Sequence, residues 1–193
     1  MSTDAGYINY FEILDLPLDA KPGDARRQYK KLMKDLVVEI AEVEITPERR
    51  SRYLLEMAKL NAALLVIRET VVKDAYWQER TELIELEEQW RQADAAKSAE
   101  MDPLRRQFDA KIRHFLARYI EEMMLDAGRD KEVIEACNWD AAHEQHAFRI
   151  LRRYRQGLYQ QILERLPFFE VTKPIVDWNE RAKSAANLLA EAK

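Results

Sequence analysis

The chain has 193 residues, of which 47% are hydrophobic and 34% charged, with 4 glycines and a formal net charge of −4. This length allows one large or two small domains with a packed core, while the negative charge argues against general affinity for nucleic acid. So few glycines nearly exclude glycine-rich phosphate loops, and the single cysteine excludes an intramolecular disulfide framework. We expect a cytoplasmic protein, since no signal-like segment follows Met1 and no run approaches about 20 apolar residues.

The first predicted helix is a short apolar cluster. Its members are Tyr10, Phe11, Ile13, Leu14 and Leu16. Pro17 ends the cluster because proline lacks the backbone N–H and restricts the residue before it.

A basic second helix is predicted from about Ala25 to about Ile40, with Asp24 as its N-cap. Ala25, Tyr29, Leu32 and Met33 are expected to face inward. The opposite face carries Arg26, Arg27, Lys30, Lys31 and Lys34. This face is either simply solvated or a surface for an acidic protein partner.

The third helix begins at a hydroxyl residue followed by proline and an acid, Thr46, Pro47 and Glu48. It is predicted to reach about Val72. The apolar positions recur at spacings of three and four, at Tyr53, Met57, Leu60, Leu64 and Ile67. Asn61 lies among them, and we expect it to hydrogen-bond the backbone near a loop.

In order and spacing, these segments resemble the J-domain, with which DnaJ-type co-chaperones engage DnaK-type chaperones. Residues 9–16 are similar to the family's opening helix and residues 29–32 (Tyr-Lys-Lys-Leu) to its basic second helix. Residues 60–63 (Leu-Asn-Ala-Ala), with Val66 and Ile67, are similar to its third helix, and Lys73 and Tyr76 to its closing basic and tyrosine residues. The resemblance covers roughly residues 7–78.

The family's His-Pro-Asp tripeptide couples the J-domain to ATP hydrolysis by the chaperone. The corresponding place here holds Val37, Val38 and Glu39, so histidine and proline are missing. The resemblance therefore implies a J-like fold without the stimulating activity of the family.

The second half is predicted to be long antiparallel helices. In helix four, Leu83, Leu86, Trp90 and Ala93 alternate at three and four, as in a coiled-coil seam. Asp102 and Pro103 are expected to break this helix and restart it, and Gly128 is expected to follow the next helix as its C′ residue. The following helix is predicted from Lys131 to about Leu166, capped by Asp130 and interrupted at residues 138–140. A last helix is predicted from about Val176, after a crossover at residues 167–174.

Three clusters are candidates for chemistry or binding. Cys137, Asp140, His143 and His146 fan around a helix at steps of three, so we expect neither a metal site nor a nucleophile there. Met123, Met124, Phe115 and Tyr119 are predicted core, with an adaptable client surface as the alternative. A second interaction patch is formed by Arg149, Arg152, Arg153 and Arg155. Such a patch could bind an acidic protein or RNA, and the alternative is a solvated face that pairs with nearby acids such as Glu82, Glu85 and Glu88.

We therefore expect an all-α protein in which a J-domain-like module, residues 1–78, precedes an elongated antiparallel helical bundle or coiled coil, residues 79–193. The expected function is that of a non-enzymatic adaptor or assembly factor for protein–protein interaction, without cofactor or metal. One alternative is a co-chaperone that binds a DnaK-type chaperone through its second helix. Another is a self-assembling structural protein. The expected partners are thus a DnaK-type chaperone, a larger assembly or a second copy of the chain, and neither a membrane nor nucleic acid.

Overall fold

The computed structural model describes residues 6–41 and 44–166, and within these ranges it is helical with no β-strand. The all-α prediction is confirmed. The elements are α1 (Tyr10–Ile13), α2 (Pro22–Ile40), α3 (Pro47–Arg68), α4 (Thr70–Ala95), α5 (Met101–Leu116), a π-helix (Ala117–Glu122), α6 (Met123–Ala127), α7 (Lys131–Cys137) and α8 (Ala141–Arg165). The predicted crossover at residues 167–174 and the last helix lie outside the described residues.

Local capping chemistry explains where α2 and α3 begin. The Thr46 hydroxyl accepts a hydrogen bond from the Arg49 N–H at 3.3 Å, so the predicted start of α3 is confirmed. The predicted N-cap of α2 is wrong, because the helix begins at Pro22. Asp24 instead lies in the first turn and accepts the Lys21 N–H at 3.2 Å.

Helices α2 and α3 pack side by side through a polar pair in their buried interface. The Tyr29 hydroxyl of α2 donates to Asn61 Oδ1 of α3 at 2.9 Å, and Asn61 is fully buried. The short connection between the two helices makes them antiparallel. Asn61 thus binds a tyrosine side chain across the helix pair, and the prediction of a backbone partner is wrong.

A break at Glu69 separates α3 from α4, so the third helix ends four residues before the predicted Val72. Helix α4 then continues through residues 78 and 79, where the sequence suggested a domain boundary. Its seam residues are all buried within the chain: Leu83, Leu86, Trp90 and Ala93. Because α4 packs on α5, this seam is satisfied inside the molecule.

The interruption after α4 comes earlier than predicted. The chain leaves the helix at Ala96, and Lys97 has the left-handed φ of 48°. Asp102 and Pro103 lie inside the first turn of α5, which starts at Met101. Proline is tolerated there because the first turn has no intrahelical partner for its N–H, so the predicted break at these residues is wrong.

The π-helix interrupts the regular pattern between α5 and α6. Its wider turn removes one carbonyl from the usual ladder of hydrogen bonds. The Tyr10 hydroxyl donates to the carbonyl of Tyr119, and both side chains are fully buried. Phe115 and Met124 are also buried and Met123 half-buried, so this group is core as predicted.

Gly128 permits a close approach rather than a left-handed turn. Gly128 directly follows the end of α6, as predicted, but its φ is −66°, so it does not take the left-handed conformation that is common for such a glycine. A Cβ at this position would lie 2.4 Å from Trp139 Nε1, and Trp139 is buried. The predicted interruption that contains Trp139 is confirmed, since α7 ends with Asn138 in the left-handed conformation and α8 begins after Asp140.

Tyr76 joins the amino-terminal segment to the second half of the chain. Its hydroxyl donates to the Ile8 carbonyl at 2.6 Å and accepts the Tyr10 N–H at 3.1 Å. Its ring lies 5.0 Å from the ring of Tyr119 and 6.2 Å from that of Phe115. Residues on both sides of position 78 therefore share one hydrophobic core.

Candidate functional site

The outer side of α2 is the first candidate binding surface. Burial of Ala25, Tyr29 and Met33 on one face turns the intervening basic side chains outward. The five predicted partner-binding residues all lie on this exposed side: Arg26, Arg27, Lys30, Lys31 and Lys34.

Two of these five residues are engaged within the molecule. Arg26 Nε donates to Glu132 Oε1 of α7 at 3.0 Å. Arg27 pairs with Asp24 one turn earlier at 2.8 Å. The remaining three have no ion pair with any described residue: Lys30, Lys31 and Lys34. We call these three residues the α2 lysine face.

The place that the resemblance assigns to His-Pro-Asp lies inside the last turn of α2. Val37 and Glu39 are half-buried there, whereas Val38 is 65% exposed. The helix continues to Ile40, so these three residues are helical. The place thus presents an aliphatic side chain to solvent and supplies no imidazole.

The four arginines of the predicted second patch on α8 are in different environments. Arg155 pairs with Glu121 of the π-helix at 2.9 Å, and Arg152 is exposed. Arg149 and Arg153 line a groove against α3. The patch is therefore split, and the expected pairing of α8 arginines with Glu82, Glu85 and Glu88 is not formed, since Glu82 pairs with Lys111 instead at 3.0 Å.

The groove between α3 and α8 has a volume of about 800 Å³. We call it the α3–α8 groove. Its lining includes two arginines of α3, Arg50 and Arg52, and two arginines of α8, Arg149 and Arg153. Reasoning along the sequence missed this site because its two halves are about a hundred residues apart, and no local motif joins them.

Most of the other side chains that line the groove are apolar. The lining includes Ile45, Leu54, Leu55 and Ile150. Tyr154 closes one side, and the Lys59 ammonium lies 4.7 Å from the centre of its ring. The groove therefore combines an apolar surface with four guanidinium groups.

The cluster of Cys137, Asp140, His143 and His146 does not converge. The Cys137 thiol is buried and donates to the Val133 carbonyl at 3.1 Å, and burial raises its pKa. Asp140 caps α8 by accepting the His143 N–H at 2.9 Å, while His146 lines the α3–α8 groove. No group of three or more metal-ligating side chains is found in the described part of the chain.

An acidic pair on α7 connects three helices. Arg68 of α3 binds both carboxylate oxygens of Asp130, at 2.9 and 2.6 Å, and also Glu132 at 3.2 Å. Glu132 additionally accepts from Arg26 of α2. Hydrogen bonding to Arg68 lowers the pKa of Asp130. This network fixes α7 against the α2–α3 pair, so it is structural.

Among the described residues, no helix combines the length and apolar character that crossing a bilayer requires. Comparison with protein-family models, with curated proteins and with solved structures found no match.

Proposed function

We propose that the chain is a non-enzymatic adaptor whose J-like amino-terminal part docks an acidic protein through the α2 lysine face. The observation that carries this proposal is the contrast within α2: Arg26 and Arg27 have carboxylate partners, whereas the three lysines have none among the described residues. Ammonium groups left free on a rigid helix attract acidic partners and orient them during encounter.

The residues in the last turn of α2 support binding of a partner protein without stimulation of ATP hydrolysis. A J-domain requires His-Pro-Asp for that stimulation, and Val37, Val38 and Glu39 stand in its place. An exposed valine offers neither the charge nor the imidazole of that tripeptide.

The geometry of the weak nucleophile candidate supports a non-enzymatic function. Cys137 is 3% exposed, and its pKa is raised by burial, which disfavours the reactive thiolate. His143 is held in the cap of α8 beside Asp140. The thiol is therefore shielded from solvent, and His143 is not positioned as its base.

A co-chaperone remains the second candidate function, because the α2 lysine face is available to a DnaK-type chaperone. One experiment distinguishes the adaptor function from the co-chaperone function. Wild type is compared in affinity purification from the native host with Lys30→Glu/Lys31→Glu/Lys34→Glu. The matched control reverses three exposed basic residues elsewhere that have no ion pair with a described residue, as Lys97→Glu/Arg106→Glu/Arg152→Glu.

We expect a partner that wild type and control retain and that the α2 variant loses. Purified partner must then bind wild type at least about tenfold more tightly than the α2 variant. Equal retention by all three proteins contradicts the proposal. If the partner is a DnaK-type chaperone whose single-turnover ATP hydrolysis is strongly stimulated, the co-chaperone function replaces the adaptor function.

A further inference from the structure

The α3–α8 groove concentrates positive charge that no described residue neutralises. Its lining contains Arg50, Arg52, Arg149 and Arg153 together with His146, and no aspartate or glutamate is among the described residues that line it. None of the four arginines forms an ion pair with a described residue, although Arg52 lies over the ring of Tyr53 at 5.5 Å. Like charges held together in one groove repel each other, so an anionic occupant is favoured there.

Most arginines elsewhere in the described chain have a carboxylate partner, which makes the groove distinctive. The paired set includes Arg26, Arg68, Arg91, Arg118, Arg129, Arg155 and Arg165. The chain as a whole carries an excess of acidic residues. Acidic side chains are therefore abundant, yet none of those in residues 6–41 and 44–166 lines this groove.

The shape of the groove adds a second requirement. Leu54 is buried at its base, and Leu55 and Ile150 are half-buried in its wall. A bound apolar side chain that covers these groups would stabilise the complex by about 25 cal/mol per Å² of apolar surface removed from water. An inorganic anion would pair with the arginines but would leave this apolar surface exposed to water.

We propose that the α3–α8 groove binds an acidic amphipathic helix of a partner protein. Apolar side chains of that helix would cover Leu54, Leu55 and Ile150, and its flanking carboxylates would pair with the arginines on both walls. This site is separate from the α2 lysine face, because no α2 residue lines the groove. The inference does not depend on the proposed adaptor function of α2.

A nucleic acid fits the groove less well. Single strands bind by stacking bases on open aromatic faces, but the Lys59 ammonium already lies over the ring of Tyr154. The apolar floor also offers nothing to a phosphate backbone. Binding of nucleic acid is therefore the competing outcome of the test.

The test uses a fluorescent synthetic peptide of about 18 residues, with leucines at helical three- and four-residue spacing and glutamate and alanine elsewhere. Its affinity for the full chain is measured by fluorescence anisotropy at low salt. The groove variant is Arg50→Glu/Arg153→Glu. The matched control is Arg49→Glu/Arg152→Glu, which changes exposed sequence neighbours outside the groove by the same charge.

We expect the groove variant to bind the peptide at least about tenfold more weakly than wild type, and the control to bind within about threefold of wild type. The Lys30→Glu/Lys31→Glu/Lys34→Glu variant should keep wild-type affinity, which separates this site from the α2 lysine face. A peptide of the same composition, in which the leucines do not follow helical spacing, should bind the wild-type protein at least about tenfold more weakly than the amphipathic peptide does.

Three results would overturn the inference. The first is an absence of saturable binding to wild type, and the second is equal loss of binding in the groove and control variants. The third is a single-stranded oligonucleotide that binds wild type more tightly than the peptide does and depends on Arg50 and Arg153.

Discussion

Replacing Glu87 by glutamine is expected to destabilise the fold strongly. Glu87 has no solvent exposure and lies on α4. Arg165 donates to both of its oxygens, at 3.0 and 2.6 Å, and Arg91 donates at 3.1 and 2.9 Å. The Tyr7 hydroxyl is a further donor. One carboxylate therefore holds the amino-terminal segment, α4 and the end of α8 together.

The size of the expected loss of stability depends on the buried arginine that the substitution leaves without its carboxylate partner. The Arg165 side chain is only 12% exposed, so it would lose its ion pair without regaining full hydration. Removing one partner of a buried ion pair costs about 3–5 kcal/mol. For a chain of this length, each kcal/mol shifts the melting temperature by about 2–4 °C, so we expect a decrease of about 12 °C.

Urea denaturation followed by far-ultraviolet circular dichroism measures this loss. Glu82→Gln on the same helix is the control, since Glu82 pairs with Lys111 at the surface, and it should unfold close to wild type. In the background of Glu87→Gln, the further change Arg165→Met should cost little, because the pair is already broken. A stability of Glu87→Gln within about 1 kcal/mol of wild type would refute the argument.

Three further predictions follow from other contacts. Gly128→Ala should destabilise by about 1–3 kcal/mol in thermal unfolding, because the new Cβ would meet the Trp139 ring. Tyr10→Phe should cost about 1–3 kcal/mol in urea denaturation, because the carbonyl of Tyr119 loses the buried Tyr10 hydroxyl as a donor. Since Arg68 lowers the pKa of Asp130, this carboxylate contributes stability above its unfolded pKa of about 3.9, which is lost as pH falls through the folded pKa. Arg68→Met should therefore weaken the acid dependence of stability below about pH 5, measured by urea denaturation across pH.

The sequence predicted several features of the fold that depend on local chemistry, although the caps predicted at Asp24 and Asp102 were wrong. The cap at Thr46, the cap at Asp130 and the interruption before Asp140 each use a side chain that bonds its own neighbouring backbone. The break at Glu69 has no glycine or proline to mark it. It could not be predicted because tertiary packing, rather than local preference, decides where α3 ends.

The candidate sites also differ in how far the sequence could predict them. The basic face of α2 is visible in a single helix, since helical periodicity alone separates its inner and outer sides. Which of its charges are free depends on Glu132, more than a hundred residues away. The α3–α8 groove lies between two helices that are distant in the sequence, so only half of its arginines were identified from the sequence. These two were grouped with Arg155, which pairs with Glu121.

The internal partner of Arg26 decides how binding through α2 should be tested. Glu132 accepts from Arg26 and from Arg68, so one carboxylate holds α7 against both α2 and α3. Reversing the charge of Arg26 would place two carboxylates together and would loosen this junction. Loss of a partner in such a variant would then report disrupted packing as readily as a lost binding surface. Lys30, Lys31 and Lys34 pair with no carboxylate in the described part of the chain, so reversing their charge separates recognition from folding.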